Sequence, residues 1–133
     1  MKYFKLNNPI FLVMIGAIPG AIGRYVLGLV FNVPFFAIPI GTLIANTLGS
    51  IILGMVVTMY RLQLIKPEVI TSIGIGFCGS LTTMSSFAVE SLKLLTGSAI
   101  LFLSYLGITL LFVYVGAYLG RITVMFFIVR RSV

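Results

Sequence analysis

Two groups of polar residues sit where apolar ones would be expected. One is the run Gly76-Phe77-Cys78-Gly79-Ser80-Leu81-Thr82-Thr83-Met84-Ser85-Ser86-Phe87. The other is Thr42, Asn46 and Ser50, spaced by four and therefore on one helix face. Hydroxyls and an amide donate hydrogen bonds without carrying charge. The chemistry on offer is the binding or passage of a small polar species. Two charges, Arg24 and Glu90, also lie inside apolar stretches. Such a charge is costly unless it is paired, wetted or close to an interface.

Bond-making chemistry is poorly served. The chain has one cysteine, Cys78, and no histidine, so an intrachain disulfide and any histidine-based metal or catalytic centre are excluded. Cys78 reads as a small packing residue. There is no acidic pair, nucleotide motif or reactive-cysteine setting, and the expectation is that the protein is not an enzyme.

The elements that must position these residues are membrane spans. Of the 133 residues, 60% are hydrophobic and 8% charged, and the mean hydropathy is +1.23. An average soluble domain carries about a quarter charged residues. Four apolar blocks, each near the ~20 residues that cross a bilayer, predict helices over about 9–31, 37–61, 68–95 and 98–129. Short connections make residues 1–133 a single four-helix transmembrane domain. Lys2 and Lys5 before an apolar run resemble a signal peptide, but the run is too long, contains Arg24 and has no clear cleavage site, so no cleavage is expected.

Within the spans, Gly16, Gly20, Arg24 and Gly28 share one face of the first helix, a small-residue seam that admits close packing. Arg24 reads either as an anchor snorkelling to the outer interface or as a group near an anion entrance. The Thr42/Asn46/Ser50 stripe reads either as interhelical glue or as a pore face, with the Asn46 amide offering two hydrogens to an anion. In the third helix Gly74, Gly76 and Gly79 each cost about 1 kcal/mol relative to Ala, and the Ser/Thr residues compete for backbone groups. A break near Gly79–Thr83 is expected, with freed carbonyls able to hold a cation. Glu90 has Lys93 at i+3 as a possible partner. In the fourth helix Tyr105 and Thr109 are one turn apart, Val113 interrupts that face, Gly116 and Gly120 form a packing pair, and Tyr118 reads as an interface anchor.

The net charge of +7 is not a nucleic-acid signature, because the basic residues are scattered singly. Lys2, Lys5, Arg61, Lys66, Arg130 and Arg131 fall on one side of the predicted topology, with Lys93 opposite. The positive-inside rule then puts both termini in the cytoplasm.

The chain resembles the Fluc/CrcB family of fluoride channels over nearly its whole length. The resemblance rests on Gly20-Ala21 with Arg24-Tyr25, on Gly41-Thr42-Leu43 with Asn46 and Gly49, and on Gly76-Phe77, Gly79, Thr82-Thr83, Ser85, Phe87 and Glu90. It implies an all-α integral membrane fold whose third helix is broken near mid-membrane, assembled as an antiparallel, dual-topology type dimer. It implies a passive fluoride-selective channel in the plasma membrane, with two pores per dimer and fluoride and membrane lipid as partners. It implies a central structural Na⁺ held by the backbone carbonyls of Gly79 and Thr82. Asn46, Phe87, Met84, Tyr105, Thr109, Thr42 and Ser85 would line the fluoride path, and Arg24 and Glu90 would form an anion vestibule. Three departures stand out. Met84 occupies a position where the family has phenylalanine. Val113 interrupts the polar track. The basic residues are lopsided, whereas a homodimer that inserts both ways needs little bias. The second subunit is therefore either another copy or an oppositely biased paralogue, and either the pore tolerates Met84 or one pore of the pair is weakened. The competing readings are a small proton-coupled multidrug-type exporter, disfavoured because the first helix has no acid, and a non-transporting membrane subunit.

Overall fold

The computed structural model describes residues 8–32 and 38–131, so the expectations placed on Lys2, Lys5 and residue 37 lie outside it. All its regular elements are helices, forming four spans long and apolar enough to cross a membrane. Helix α1 is Pro9–Phe31 and α2 is Ile40–Arg61. The third span, Pro67–Gly97, has two limbs: α3 over 67–81 and α4 over Met84–Gly97. Helix α5 is Ala99–Arg131.

Local chemistry sets the ends. Asn8 caps α1 by accepting from Ile10 N at 3.0 Å, and Pro9, which lacks an N–H, takes the first turn where none is needed. Asn32 closes α1 through its own N–H to Gly28 O at 3.0 Å, and its side chain accepts from Gly41 N at 2.7 Å, capping α2 from outside. Helix α2 ends in a turn where Gln63 takes a positive φ of 57°. Pro67 opens α3. Ser98 separates α4 from α5 with N–H to Leu94 O at 2.7 Å, and its hydroxyl accepts from Leu101 N at 3.4 Å.

The sequence suggested that the glycines of α3 would weaken it. Ile70–Cys78, which holds Gly74 and Gly76, is wound as a π-helix, rare beyond a single turn. This segment lies along α1, and α2 lies along α5. Glycines make the first of these contacts close. A Cβ on Gly16 would strike the carbonyl of Ser72, and one on Gly20 the carbonyl of Phe77. Gly28, on the same face, has open space beside it, so the seam stops before Arg24. On the second contact, a Cβ on Gly120 would strike Ile51 O and one on Gly116 would sit 3.1 Å from Thr47 O, which makes Gly116 and Gly120 the packing pair expected of them. Cys78 is buried and fills the core.

Gly16→Ala and Gly20→Ala are each expected to destabilise the protein by about 1–3 kcal/mol, because a backbone carbonyl cannot step aside as a side chain can. Gly28→Ala should leave the melting temperature in detergent unchanged.

Candidate functional site

The site is built around the junction of α3 and α4. Thr82 and Thr83 are extended there, with φ/ψ of −77°/153° and −149°/124°. Thr82 N still donates to Cys78 O at 2.9 Å, the last rung of α3. The next rung would take Thr83 N to Gly79 O. Instead Thr83 N donates to Asn46 Oδ1 at 2.7 Å, and Asn46 Nδ2 donates to Thr83 O at 3.2 Å. Asn46 of α2 thus replaces a helical rung with its own amide. Gly79 O loses its α-helical donor, and a ψ of 153° turns the Thr82 carbonyl out of the ladder. Gly79 itself is exposed, and a Cβ there would meet nothing within 4 Å. Thr83 then starts α4, its hydroxyl accepting from Ser86 N at 3.2 Å and standing 3.1 Å from Ser85 Oγ.

One turn and two turns into α4 come Phe87 and Glu90. Phe87 is buried and packs against Tyr105 of α5, ring centroids 5.2 Å apart and tilted by 45°. The fully buried Tyr105 donates its hydroxyl to Glu90 Oε2 at 2.8 Å. Glu90 Oε1 accepts from Thr42 Oγ1 at 2.8 Å and from Asn32 Nδ2 at 3.2 Å. This corrects the suggestion that Lys93 pairs with Glu90. The carboxyl turns inward to neutral donors on α2, α5 and the end of α1, while Lys93 is exposed. Arg24 makes no ion pair among the described residues, although it borders the same cavity as Glu90.

Two cavities flank this wall of side chains. The smaller, about 230 Å³, is bordered by Asn46, Thr82, Met84, Phe87 and Thr109, with Val113 also on its surface. Thr109 Oγ1 is buried without a hydrogen-bond partner among the described residues. The larger, about 360 Å³, is bordered by Arg24, Asn32, Thr42, Ser86 and Glu90. Phe87 faces the first and Glu90 the second, and Tyr105 joins them. Thus the structure gathers Asn46, Met84, Phe87 and Thr109 in one place, and Arg24, Thr42 and Glu90 in another. Ser85 is exposed and borders neither cavity, and Met84 is 76% exposed. The Thr42/Asn46/Ser50 stripe is buried throughout, but much of its donor capacity is already committed. Ser50 donates to Asn46 O at 2.7 Å. Asn46 spends one amide hydrogen on Thr83, leaving one where the sequence suggested two.

Asn32 and Ser91 escaped the sequence reading. Asn32 lies just past the predicted end of the first helix, and an Asn at a helix C-terminus was the signal for it. Ser91, at i+4 from Phe87, has a buried hydroxyl without a partner among the described residues.

With this geometry in view, the comparisons with known proteins are informative. Residues 11–121 match the family model described as CrcB-like protein, Camphor Resistance (CrcB). The chain belongs to the CrcB family. Three relatives carry the name fluoride-specific ion channel FluC. That of Desulfovibrio desulfuricans is 46% identical over 91 residues, 68% of this chain and 70% of its own. That of Methanopyrus kandleri is 46% identical over 97 residues, 71% and 72% of the two chains. That of Shewanella woodyi is 36% identical over 96 residues, 71% and 76%. Family and spans together make this CrcB member a multi-pass membrane protein.

Asn46→Ala is expected to cost about 1–3 kcal/mol, since it leaves two buried backbone groups of Thr83 without partners. Asn46→Asp keeps the acceptor for Thr83 N and should lose less. Melting temperatures of the three proteins in one detergent check the order.

Proposed function

We propose that this protein is a fluoride-selective channel of the plasma membrane, through which fluoride leaves the cell passively. The observation that carries the reading is the smaller cavity, where neutral donors converge beside an aromatic ring. Fluoride holds its water strongly, so a pore must replace that water without trapping the ion. The partnerless Thr109 hydroxyl and the remaining Asn46 hydrogen can do this, and the positive edge of the Phe87 ring can face an anion. Several weak sites in series allow exit as well as entry. The larger cavity, with Arg24 on its wall, serves as the vestibule. HF entering the cell loses its proton, and the negative interior drives the trapped anion out by about 2.3 kcal/mol per 100 mV.

The assembly that fits is an antiparallel dimer with two pores. The carbonyls of Gly79 and Thr82, left out of the helical ladder, suit a hard cation that binds oxygen. Together with the same pair from a second subunit they would hold Na⁺ as a structural ion. Its charge would tie the two junctions together.

A second reading, in which this subunit pairs with an oppositely biased paralogue, is favoured by charge. Arg61, Lys66, Arg121 and Arg130 lie toward one end of the bundle and Lys93 toward the other. Arg121, within the predicted fourth helix, adds to the bias already noted. Such a chain inserts mainly with its termini inside.

Liposomes containing the purified protein should release fluoride and retain chloride. No fluoride release from the protein alone, with release restored by an oppositely biased partner, would select the heteromeric reading; equal fluoride and chloride release would defeat the channel reading. Replacing external and internal Na⁺ by a large organic cation during purification should lower the flux. Met84→Phe should raise fluoride flux while leaving the melting temperature unchanged, because Met84 is packed little within its own subunit.

A further inference from the structure

Neither the pore nor the Na⁺ site uses the basic groove at the opposite end of α2 and α5. Its volume is about 370 Å³, and Arg61, Arg121 and Thr58 border it together with the apolar Val57, Ala117 and Met125. Both arginines are exposed. Neither forms an ion pair among the described residues, and no acidic side chain borders the groove. Thr58 donates its hydroxyl to Gly54 O at 2.7 Å, which leaves the guanidinium groups as the groove's free donors. Gly54 abuts the Ala117 carbonyl, so the two helix backbones close the floor and leave a cleft rather than a passage.

The depth of the two arginines is matched. Arg61 ends α2, and Arg121 lies at nearly the same distance from the start of α5. At ~1.5 Å per residue both are roughly 32–33 Å from the ends of their helices on the far side. A bilayer's hydrocarbon core is about 30 Å thick. The two guanidinium groups therefore reach the headgroup level together, on the side that carries Lys66 and Arg130. On the second reading above, in which the chain inserts mainly with its termini inside, that side is cytoplasmic, the leaflet where anionic lipid attracts basic residues.

We propose that Arg61 and Arg121 form a binding site for an anionic phospholipid of the cytoplasmic leaflet. The guanidinium groups take the phosphate, for which their planar fork of donors is suited, and the apolar wall of Val57, Ala117 and Met125 takes the start of an acyl chain. A bound lipid would pin the Arg61 end of the bundle to that leaflet and so reinforce one insertion direction. The site is independent of fluoride and of the pore.

Native mass spectrometry of the delipidated full-length protein tests this, using phosphatidylglycerol and phosphatidylcholine with identical acyl chains. The wild type should prefer phosphatidylglycerol roughly tenfold or more, as two converging cations predict, and the preference should fall as salt rises. Arg61→Gln and Arg121→Gln should each reduce the preference, and the double variant should abolish it. Lys93→Gln, at the other end, should leave it intact, and Arg61→Lys with Arg121→Lys should retain part of it. Equal binding of the two lipids by the wild type would overturn the proposal. So would an undiminished preference in both single variants, which carry the test if the double variant does not fold. Displacement of the lipid by millimolar glycerol phosphate would mark a site for free phosphate and overturn it equally.

Discussion

The two hydrogen bonds between the Asn46 amide and the Thr83 backbone are the contact on which the rest of the site depends. Within a bilayer every backbone N–H and C=O needs a partner, and a helix normally supplies it. An extended pair of residues inside the third span would leave such groups bare. Asn46 meets the need because an amide side chain presents a donor and an acceptor side by side, as a peptide group does. It satisfies Thr83 in both directions while withdrawing Thr83 N from Gly79. One side chain on α2 therefore both permits the interruption and decides which carbonyl loses its donor. The new start of α4 at Met84 then fixes where Phe87 and Glu90 point.

From there the order spreads through Glu90. Its two oxygens receive hydrogen bonds from Thr42, Asn32 and Tyr105. The same Asn32 caps α2 through Gly41. All four spans thus meet at one carboxyl, and Tyr105 carries the constraint on to Phe87. Removing one member of such a network leaves its buried neighbours unsatisfied, so its members stand or fall together. The ring that borders the smaller cavity is held in place from the larger one.

The sequence made the four spans, the buried face of α2 and the Gly116/Gly120 seam legible, because periodicity and small-residue spacing act within one helix. It pointed to Gly79–Thr83 as a place where the third helix could break, and Thr82 and Thr83 are extended there. It could not show how the span is wound before them. Nothing in Gly74 and Gly76 distinguishes a weakened α-helix from the π-coil that forms, and the close approach of α1 at Gly16 and Gly20 is not visible in the third span's own sequence. Reading Lys93 as the partner of Glu90 failed for a related reason. An i+3 neighbour is visible in sequence, whereas donors from α2, α5 and the end of α1 are distant in it and converge only once the bundle packs. Arg121 was hidden by apolar sequence that continues on both sides of it. Helix α5, with 33 residues, is about 50 Å long, and hydropathy alone gives no sign of where along it the membrane ends.

The internal hydrogen bonds also bear on how a polar track of this kind can conduct. Thr42 and Tyr105 already donate to Glu90, Ser50 to Asn46 O, and Asn46 in part to Thr83. On the channel reading proposed above, an anion passing along these residues would meet few uncommitted hydrogens. To recruit more it would have to compete with protein acceptors, and what it gained from each donor would be reduced by what that donor gave up. This would keep every position along the track shallow. Positively charged side chains in the same places would deepen the wells and slow exit, whereas Arg24 borders the larger cavity rather than the one beside Phe87. On that reading, a cation at entry and neutral, partly occupied donors farther along would favour capture followed by release. The same commitments that stabilise the fold would then limit how tightly an ion could be held.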